Sequence, residues 1–290
     1  MIGKGLVAQW LEQRTHNPLA AGSNPAGPTL LGVLLLGIML SAVTLRSDSS
    51  APPLRSIPNT AFHLGERLEY DISYAFISAG TAVFQVAKQP ATVSRRPCYV
   101  VQFTVQSHKS LELIYKVRDT YTTWIDMEGI FPWQFTQRTR ENTYKRDFKA
   151  VFDQVAKTAT TTEGTFTVPP FVHDVVSAFY YVRTQPLKQA RRGDVIRLQN
   201  FFDRETHDLR VKVLGRERIT VEAGTFDCVV IEPEIASGSP FAFEGRLRMW
   251  MSADDRAVPV RVRTKIPIGS IDAELTSYAG TRGRVDAHLR

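Results

Sequence analysis

The chain has 290 residues, 43% of them hydrophobic and 10% aromatic, enough core-forming side chains to exclude the disordered and fibrous classes. Its formal net charge is +7. The cations are scattered, with no recognition motif and no interleaved stacking aromatics. That excludes nucleic acid as the expected partner and leaves a mildly basic globular protein as the plain reading.

Residues 1–29 resemble a translated transfer-RNA gene. Ala8-Gln9-Trp10-Leu11-Glu12-Gln13 can be written GCT CAG TGG TTA GAG CAG, which is similar to a D-arm. Gly22-Ser23-Asn24-Pro25 can be written GGT TCG AAT CCC, similar to a T-arm, fourteen codons further on. Residues 1–29 are therefore expected to be a spurious leader. Leu30–Leu45, LLGVLLLGIMLSAVTL, has sixteen residues and no charge. As a helix it would be about 24 Å long, short of a hydrocarbon core of about 30 Å and suited to a signal-peptide core. A signal peptide is the first expectation for 30–45, and an uncleaved anchor in the inner membrane is the alternative. No cysteine follows at the position a lipoprotein anchor needs. Residues 46–60 are rich in Ser and Pro and read as a linker. A single β-rich domain is expected over 61–283, with a flexible tail at 284–290.

Within the domain the pattern has period 2. Leu68, Tyr70, Ile72 and Tyr74 alternate with polar neighbours, as do Ala82, Phe84 and Val86, then Tyr99, Val101, Phe103 and Val105. Further strands are expected at Val117–Asp126, Trp133–Glu141, Tyr144–Phe152, Ile196–Asn200, Asp208–Val213, Arg218–Val221, Phe226–Pro233 and Gly245–Met251. Glu128-Gly129, Glu163-Gly164, Leu214-Gly215 and Ala223-Gly224 read as turns between them. At the end, Val260, Val262, Thr264 and Ile266 lead through Pro267-Ile268-Gly269 to Ile271, Ala273 and Leu275. Folded as a hairpin, this pair puts its apolar set on one face. Arg261, Arg263 and Lys265 then share the other face with Asp272 and Glu274. Asp174–Arg183 breaks the pattern: it follows Pro169-Pro170, has Asp174 as an N-cap, and sets Val175, Val176, Phe179 and Val182 on one helical face. Ser107–Tyr115 is a second candidate helix. The expected fold class is mainly β: a curved antiparallel sheet with one or two helices packed on it.

Cys98 and Cys228 leave two readings open. In an oxidising compartment they form one disulfide, closing a loop of 130 residues and worth roughly 4–5 kcal/mol in the chain-entropy model. Otherwise they are free and behave as small buried apolar residues.

Motifs for catalysis are missing. There is no nucleophile elbow, no P-loop, dinucleotide fingerprint or zinc-helix motif, so no catalytic, cofactor-binding or metal-ligating residue is expected and no cofactor is implied. His63, His108, His173 and His207 fall in the domain, and the adjacent pairs His173-Asp174 and His207-Asp208 read as chance placements. Two carboxylates meeting in space would be needed for glycan hydrolysis, and spacing does not show such a pair. Phe201-Phe202, Phe241, Phe243, Trp250 and Tyr180-Tyr181 supply either a hydrophobic cavity or ordinary core.

Five blocks together resemble a known family: GERLEYDISYAFISAGTA (Gly65–Ala82), YKVRDTYTTWIDMEGIFPWQF (Tyr115–Phe135), HDVVSAFYYVR (His173–Arg183), AGTFDCVVIEP (Ala223–Pro233) and GRLRMWMSADDRAVPVRV (Gly245–Val262). In order and spacing they are similar to the bacterial family called domain of unknown function 3108, over about Ala61–Gly280. The resemblance implies export in a Gram-negative bacterium, hence the periplasm, and a fold like that of the LolA/LolB lipoprotein carriers: a half-barrel with helix in its concave side. It brings no catalytic residues. The leading expectation is a non-enzymatic envelope protein that binds a lipid, acyl chain or other apolar ligand. The alternative is a structural or interaction module contacting another envelope protein or a polysaccharide, with a glycan hydrolase as the least favoured reading. Oligomeric state is left open.

Overall fold

The computed structural model describes residues 54–74, 77–113, 115–202, 204–235, 247–265 and 269–289. The leader, the segment Leu30–Leu45, most of the linker, and the pair Phe241 and Phe243 lie outside the described residues.

Among the described residues, sixteen strands form one antiparallel sheet. They are β1 (Arg67–Tyr74), β2 (Ile77–Val86), β3 (Ala91–Val93), β4 (Arg96–Ser107), β5 (Arg118–Asp126), β6 (Pro132–Glu141), β7 (Tyr144–Asp153), β8 (Thr158–Thr161), β9 (Gly164–Thr167), β10 (Val195–Phe202), β11 (Glu205–Val221), β12 (Gly224–Ile235), β13 (Leu247–Ser252), β14 (Pro259–Lys265), β15 (Ser270–Ala279) and β16 (His288–Leu289). The main order is β10-β11-β12-β13-β14-β15-β1-β2-β4-β5-β6-β7-β8-β9, with β3 beside β4 and β16 beside β12. The sheet stays open, ending in β10 and β9. The expected terminal hairpin forms in the expected register. Arg261 lies opposite Glu274 and Arg263 opposite Asp272, with ion pairs at 2.7 and 2.5 Å.

Among the described residues one α-helix, α1 (Val175–Arg183), packs on the sheet. Fourteen strands laid flat would span roughly 60 Å at about 4.8 Å per step, whereas nine helical residues are only about 14 Å long. Yet α1 contacts both β5 and β10. Its Phe179 stacks on Phe84 of β2 at 4.9 Å, and its Ala178 and Val182 join Val211, Val229 and Met249 of β11, β12 and β13 in one core cluster. Strands so far apart in the order reach one short helix because the sheet curls around it.

Both helix ends are tied down by buried charges. Asp174 is the N-cap, as expected, accepting from the Val176 and Ser177 amides at 2.8 and 2.9 Å. Its other oxygen accepts from the Thr123 hydroxyl of β5 at 2.7 Å. At the far end Arg183 forms a two-pronged pair with Glu66, just before β1, at 2.6 and 2.8 Å. Neither side chain is exposed to water. The same guanidinium reaches the carbonyls of Ala61 and Arg256 and lies over the Tyr180 ring at 5.0 Å. His173, just before the helix, is buried: Arg55 donates to its Nε2 (3.1 Å), which places its proton on Nδ1, facing Ser177 Oγ at 3.3 Å. Burial, with the Arg55 charge beside it, holds this imidazole well below its ordinary value and keeps it neutral.

The structure corrects several expectations. Ser107–Tyr115 is not a second helix: it holds only a 3-10 turn at Lys109–Leu111. Nine residues are too few to stand as a helix without packing. Ser107 stays in β4, and its hydroxyl accepts the Val117 amide at 3.0 Å. Asp208–Val213 and Arg218–Val221 are one strand, β11. Leu214-Gly215 is a bulge within it rather than a turn, and Gly215 has φ 148°, a conformation open to glycine. The linker of 46–60 does not extend to Thr60 as free chain. Arg55 donates to the Gly129 and Ile130 carbonyls, the Ile57 amide donates to Glu128, and the domain starts by Leu54. Residues 284–290 are not a flexible tail through 289: Val285 and Ala287 are buried and β16 pairs with β12. The two cysteines are free. Cys98 and Cys228 sit on β4 and β12 in separate core clusters, six strand steps apart in the sheet. Burial pushes both thiols up to about 12, which makes them inert.

Two stability predictions follow from the helix anchors. Arg183→Ala leaves the Glu66 carboxylate buried and unpaired, and urea unfolding is expected to show a loss of about 3–5 kcal/mol. The double change Glu66→Leu with Arg183→Met should recover most of it; a single-variant loss under 1 kcal/mol would contradict the account. His173 stays neutral when folded but takes up a proton when unfolded below about pH 6.5. Stability should therefore fall as pH drops below 6.5, by up to about 1.4 kcal/mol per unit from this group. His173→Gln should flatten that decline in urea titrations between pH 7 and 5.

Candidate functional site

The concave side of the sheet carries an apolar groove beside α1. Its walls follow from the period-2 pattern. Val262 and Thr264 of β14 lie opposite Ala273 and Ile271 of β15. Ala273 in turn lies opposite Ile72 of β1, and Ala82 of β2 faces Tyr70 of β1. Leu247 and Met249 of β13 close one side, and Phe84 and Phe103, stacked at 4.1 Å, close the other. Val175, Val176 and Phe179 of α1 cover the floor. The groove is partly open to solvent and has a cavity volume of about 120 Å³. An engineered apolar cavity of roughly 150 Å³ takes up benzene, so the groove is the size of a short hydrocarbon segment.

The chemistry of the walls is almost wholly hydrocarbon. The Tyr70 hydroxyl donates to the Pro259 carbonyl at 2.9 Å, so its polar end is occupied, and burial raises its pKa. Thr264 supplies the other hydroxyl among the lining side chains. Among the described residues no acid, base or nucleophile lines the space. Among the described residues no cluster of His, Cys, Asp or Glu is arranged to hold a metal ion.

The aromatics singled out from sequence that fall among the described residues lie elsewhere. Tyr180 and Phe201 are buried in the core beneath α1, Phe202 packs at its margin, and Tyr181 stacks on Arg55. The Trp250 indole donates to Glu217 at 2.7 Å. The groove instead uses Phe84, Phe103 and Phe179, which differ from their neighbours only in which face of a strand or helix they occupy.

Among the described residues, two groups of titratable side chains come together outside the groove. Ser78, His108 and Asp71 are neighbours on the exposed side, with Ser78 Oγ 2.8 Å from His108 Nε2. The Ser78 hydroxyl, however, donates to Asp71, so its proton points to the carboxylate and away from the imidazole, the reverse of an activated nucleophile. Asp119 and Glu141 form the pair of carboxylates that hydrolysis would need. They share a hydrogen bond, and burial raises Asp119. Both are buried, at 1% and 3% exposure, out of reach of a bulky glycan. His63 is exposed and bonds the Leu64 carbonyl. His207 is buried on β11, and its neighbour Asp208 accepts from Gln199.

No match was found among curated proteins. Among solved structures, the chain is similar to a β-barrel-like protein of domain of unknown function DUF1849 from Brucella abortus. The identity is 12% and the TM-score 0.51, over 76% of this chain and 99% of that one. More distant likenesses are a candidate lipoprotein of Parabacteroides distasonis ATCC 8503 and a protein of YmcC-like fold from Bacteroides fragilis NCTC 9343. The first has 13% identity and TM-score 0.37, over 78% of this chain and 99% of that one. The second has 12% identity and TM-score 0.36, over 78% and 100%. At such identities the Brucella likeness speaks for the fold alone. The family model described as protein of unknown function DUF3108 matches residues 69–276, a span that contains α1 and every groove residue, and the chain belongs to that family.

Proposed function

We propose that this protein is a non-enzymatic binder of an apolar, lipid-like ligand, acting in the cell envelope, and that the groove beside α1 holds the ligand's hydrocarbon part. The observation that carries this reading is the lining: fifteen residues from six strands and one helix, with no charged side chain among them. A space of that chemistry gains by taking apolar surface from water, at about 25 cal/mol per Å². It offers nothing to a polar substrate. The open side of the groove suits a chain that extends past it. The envelope location rests on the uncharged run Leu30–Leu45 and the Ser/Pro stretch after it, which suit export to the periplasm or anchoring at the inner membrane.

Titration with a fluorescent fatty acid tests the reading. The protein is expected to enhance probe emission with micromolar affinity. Ala273→Trp, which fills the groove between β14 and β1, should weaken binding at least tenfold while unfolding in urea remains cooperative. No enhancement by the wild-type protein, or undiminished binding by Ala273→Trp, would overturn it.

A further inference from the structure

On the other side of α1 lies a second cavity, of about 360 Å³ and quite different chemistry. It is bounded by Arg55, Phe171 and Tyr181 within and by Arg197, Gln199, Asp208 and Arg210 on the edge hairpin β10–β11. Three features of its charges have no explanation in the fold.

First, Arg55 is a half-buried cation with no acid of its own. Its Nε and Nη2 donate to the Gly129 and Ile130 carbonyls and Nη2 also meets His173. Its plane is held between the rings of Phe171 and Tyr181, at 4.8 and 4.9 Å. Nη1 makes no hydrogen bond among the described residues. Burial lowers this guanidinium to about 10, and the Asp126 charge that offsets part of the burial is already bonded to Arg96. Second, Arg197 and Arg210 are directly opposite each other across the hairpin. Like charges in that position destabilise a sheet. On its other side Arg210 lies opposite Glu234 of β12, but that carboxylate is bonded to Lys212 at 2.7 Å, and neither arginine has an ion-pair partner among the described residues. Several exposed arginines of the sheet do, among them Arg218 with Asp227 and Arg263 with Asp272. Third, the one carboxylate at the cavity, Asp208, accepts a hydrogen bond from Gln199 at 3.1 Å and is bonded to none of the three arginines. Three arginines against one aspartate leave the cavity with a charge of +2, since His173 is neutral.

We infer that this cavity is an anion site, and that it takes a phosphate monoester carried on a small organic group. A phosphate dianion matches the excess charge, and its oxygens can engage the two guanidinium forks of Arg197 and Arg210 at once. The volume exceeds that of a bare phosphate and lies in the range of small-molecule sites. Phe171 and Tyr181, whose faces hold Arg55, border the cavity with Pro170 and give the organic part an apolar margin. The site shares no lining residue with the apolar groove, so it stands or falls apart from the proposed function.

Calorimetric titration of the whole protein with glycerol 3-phosphate at low salt tests the inference. Vesicles of neutral lipid, with and without phosphatidic acid, form a second arm that separates a soluble ester from a lipid headgroup. Saturable binding is expected in at least one arm, weakening with added salt. The surface variant Arg197→Ala/Arg210→Ala should weaken it at least tenfold, while Arg95→Ala/Lys145→Ala, removing two exposed cations elsewhere, leaves it within twofold. Binding of glycerol 3-phosphate points to a soluble ester, and binding confined to phosphatidic acid vesicles to a headgroup. Absence of binding in both arms overturns the inference, as does equal weakening by the two double variants, which would mark only non-specific attraction to a basic surface.

Discussion

The guanidinium of Arg183 and the carboxylate of Glu66 meet in two hydrogen bonds with both side chains withdrawn from water. Taking such charges out of water costs several kcal/mol each, so the pair holds only if its geometry and its further hydrogen bonds are satisfied. That condition fixes three separate pieces of chain around Arg183: the approach to β1, the carbonyl of Ala61, and the carbonyl of Arg256 between β13 and β14. Together with the Asp174 cap bonded to Thr123, it pins a helix that is too short to persist alone across the middle of a long sheet. The curl of the sheet and the position of α1 are then a single constraint seen from two sides.

The two cavities follow from that constraint. One face of α1 presents Val175, Val176 and Phe179 toward β13, β14, β15 and β1, where β14 and β15 contribute small or branched side chains such as Val262, Thr264 and Ala273. Side chains of that size do not fill the gap beneath a helix held in place from its ends, and an apolar groove remains. The other face presents Tyr181 toward the edge hairpin. There the incoming chain at Arg55 lies between Phe171 and Tyr181, and the space beyond it is walled by cations. One helix thus separates a hydrocarbon surface from a cationic one.

Much of the fold was legible in the sequence because its signals are local. The terminal hairpin shows in the alternation of Val260–Leu275, and its ion pairs followed from register alone. The helix shows because Pro169-Pro170, a capping Asp174 and a 3.6-residue apolar pattern coincide. The short strands Thr158–Thr161 and Gly164–Thr167 escaped notice, since threonine in both inward and outward positions erases the apolar–polar contrast. The grooves were legible only in part. Every strand that walls the apolar one was expected, yet its lining is drawn from positions between Tyr70 and Ala273, and no spacing within one segment marks it. The same holds for Arg183, whose partner lies 117 residues away, and for Arg55, which sits in what composition alone marks as linker.

The central claim is that hydrocarbon enters the space between α1 and the β14–β15–β1 face. Methyl-labelled protein observed by NMR during titration with a short-chain fatty acid reads this directly. Saturable shifts are predicted for the methyls of Ile72, Val175, Leu247, Val262 and Ile271, with Val151 and Val155 on the exposed side unmoved. Shifts spread evenly over surface methyls, or none at the groove while others move, would contradict the account.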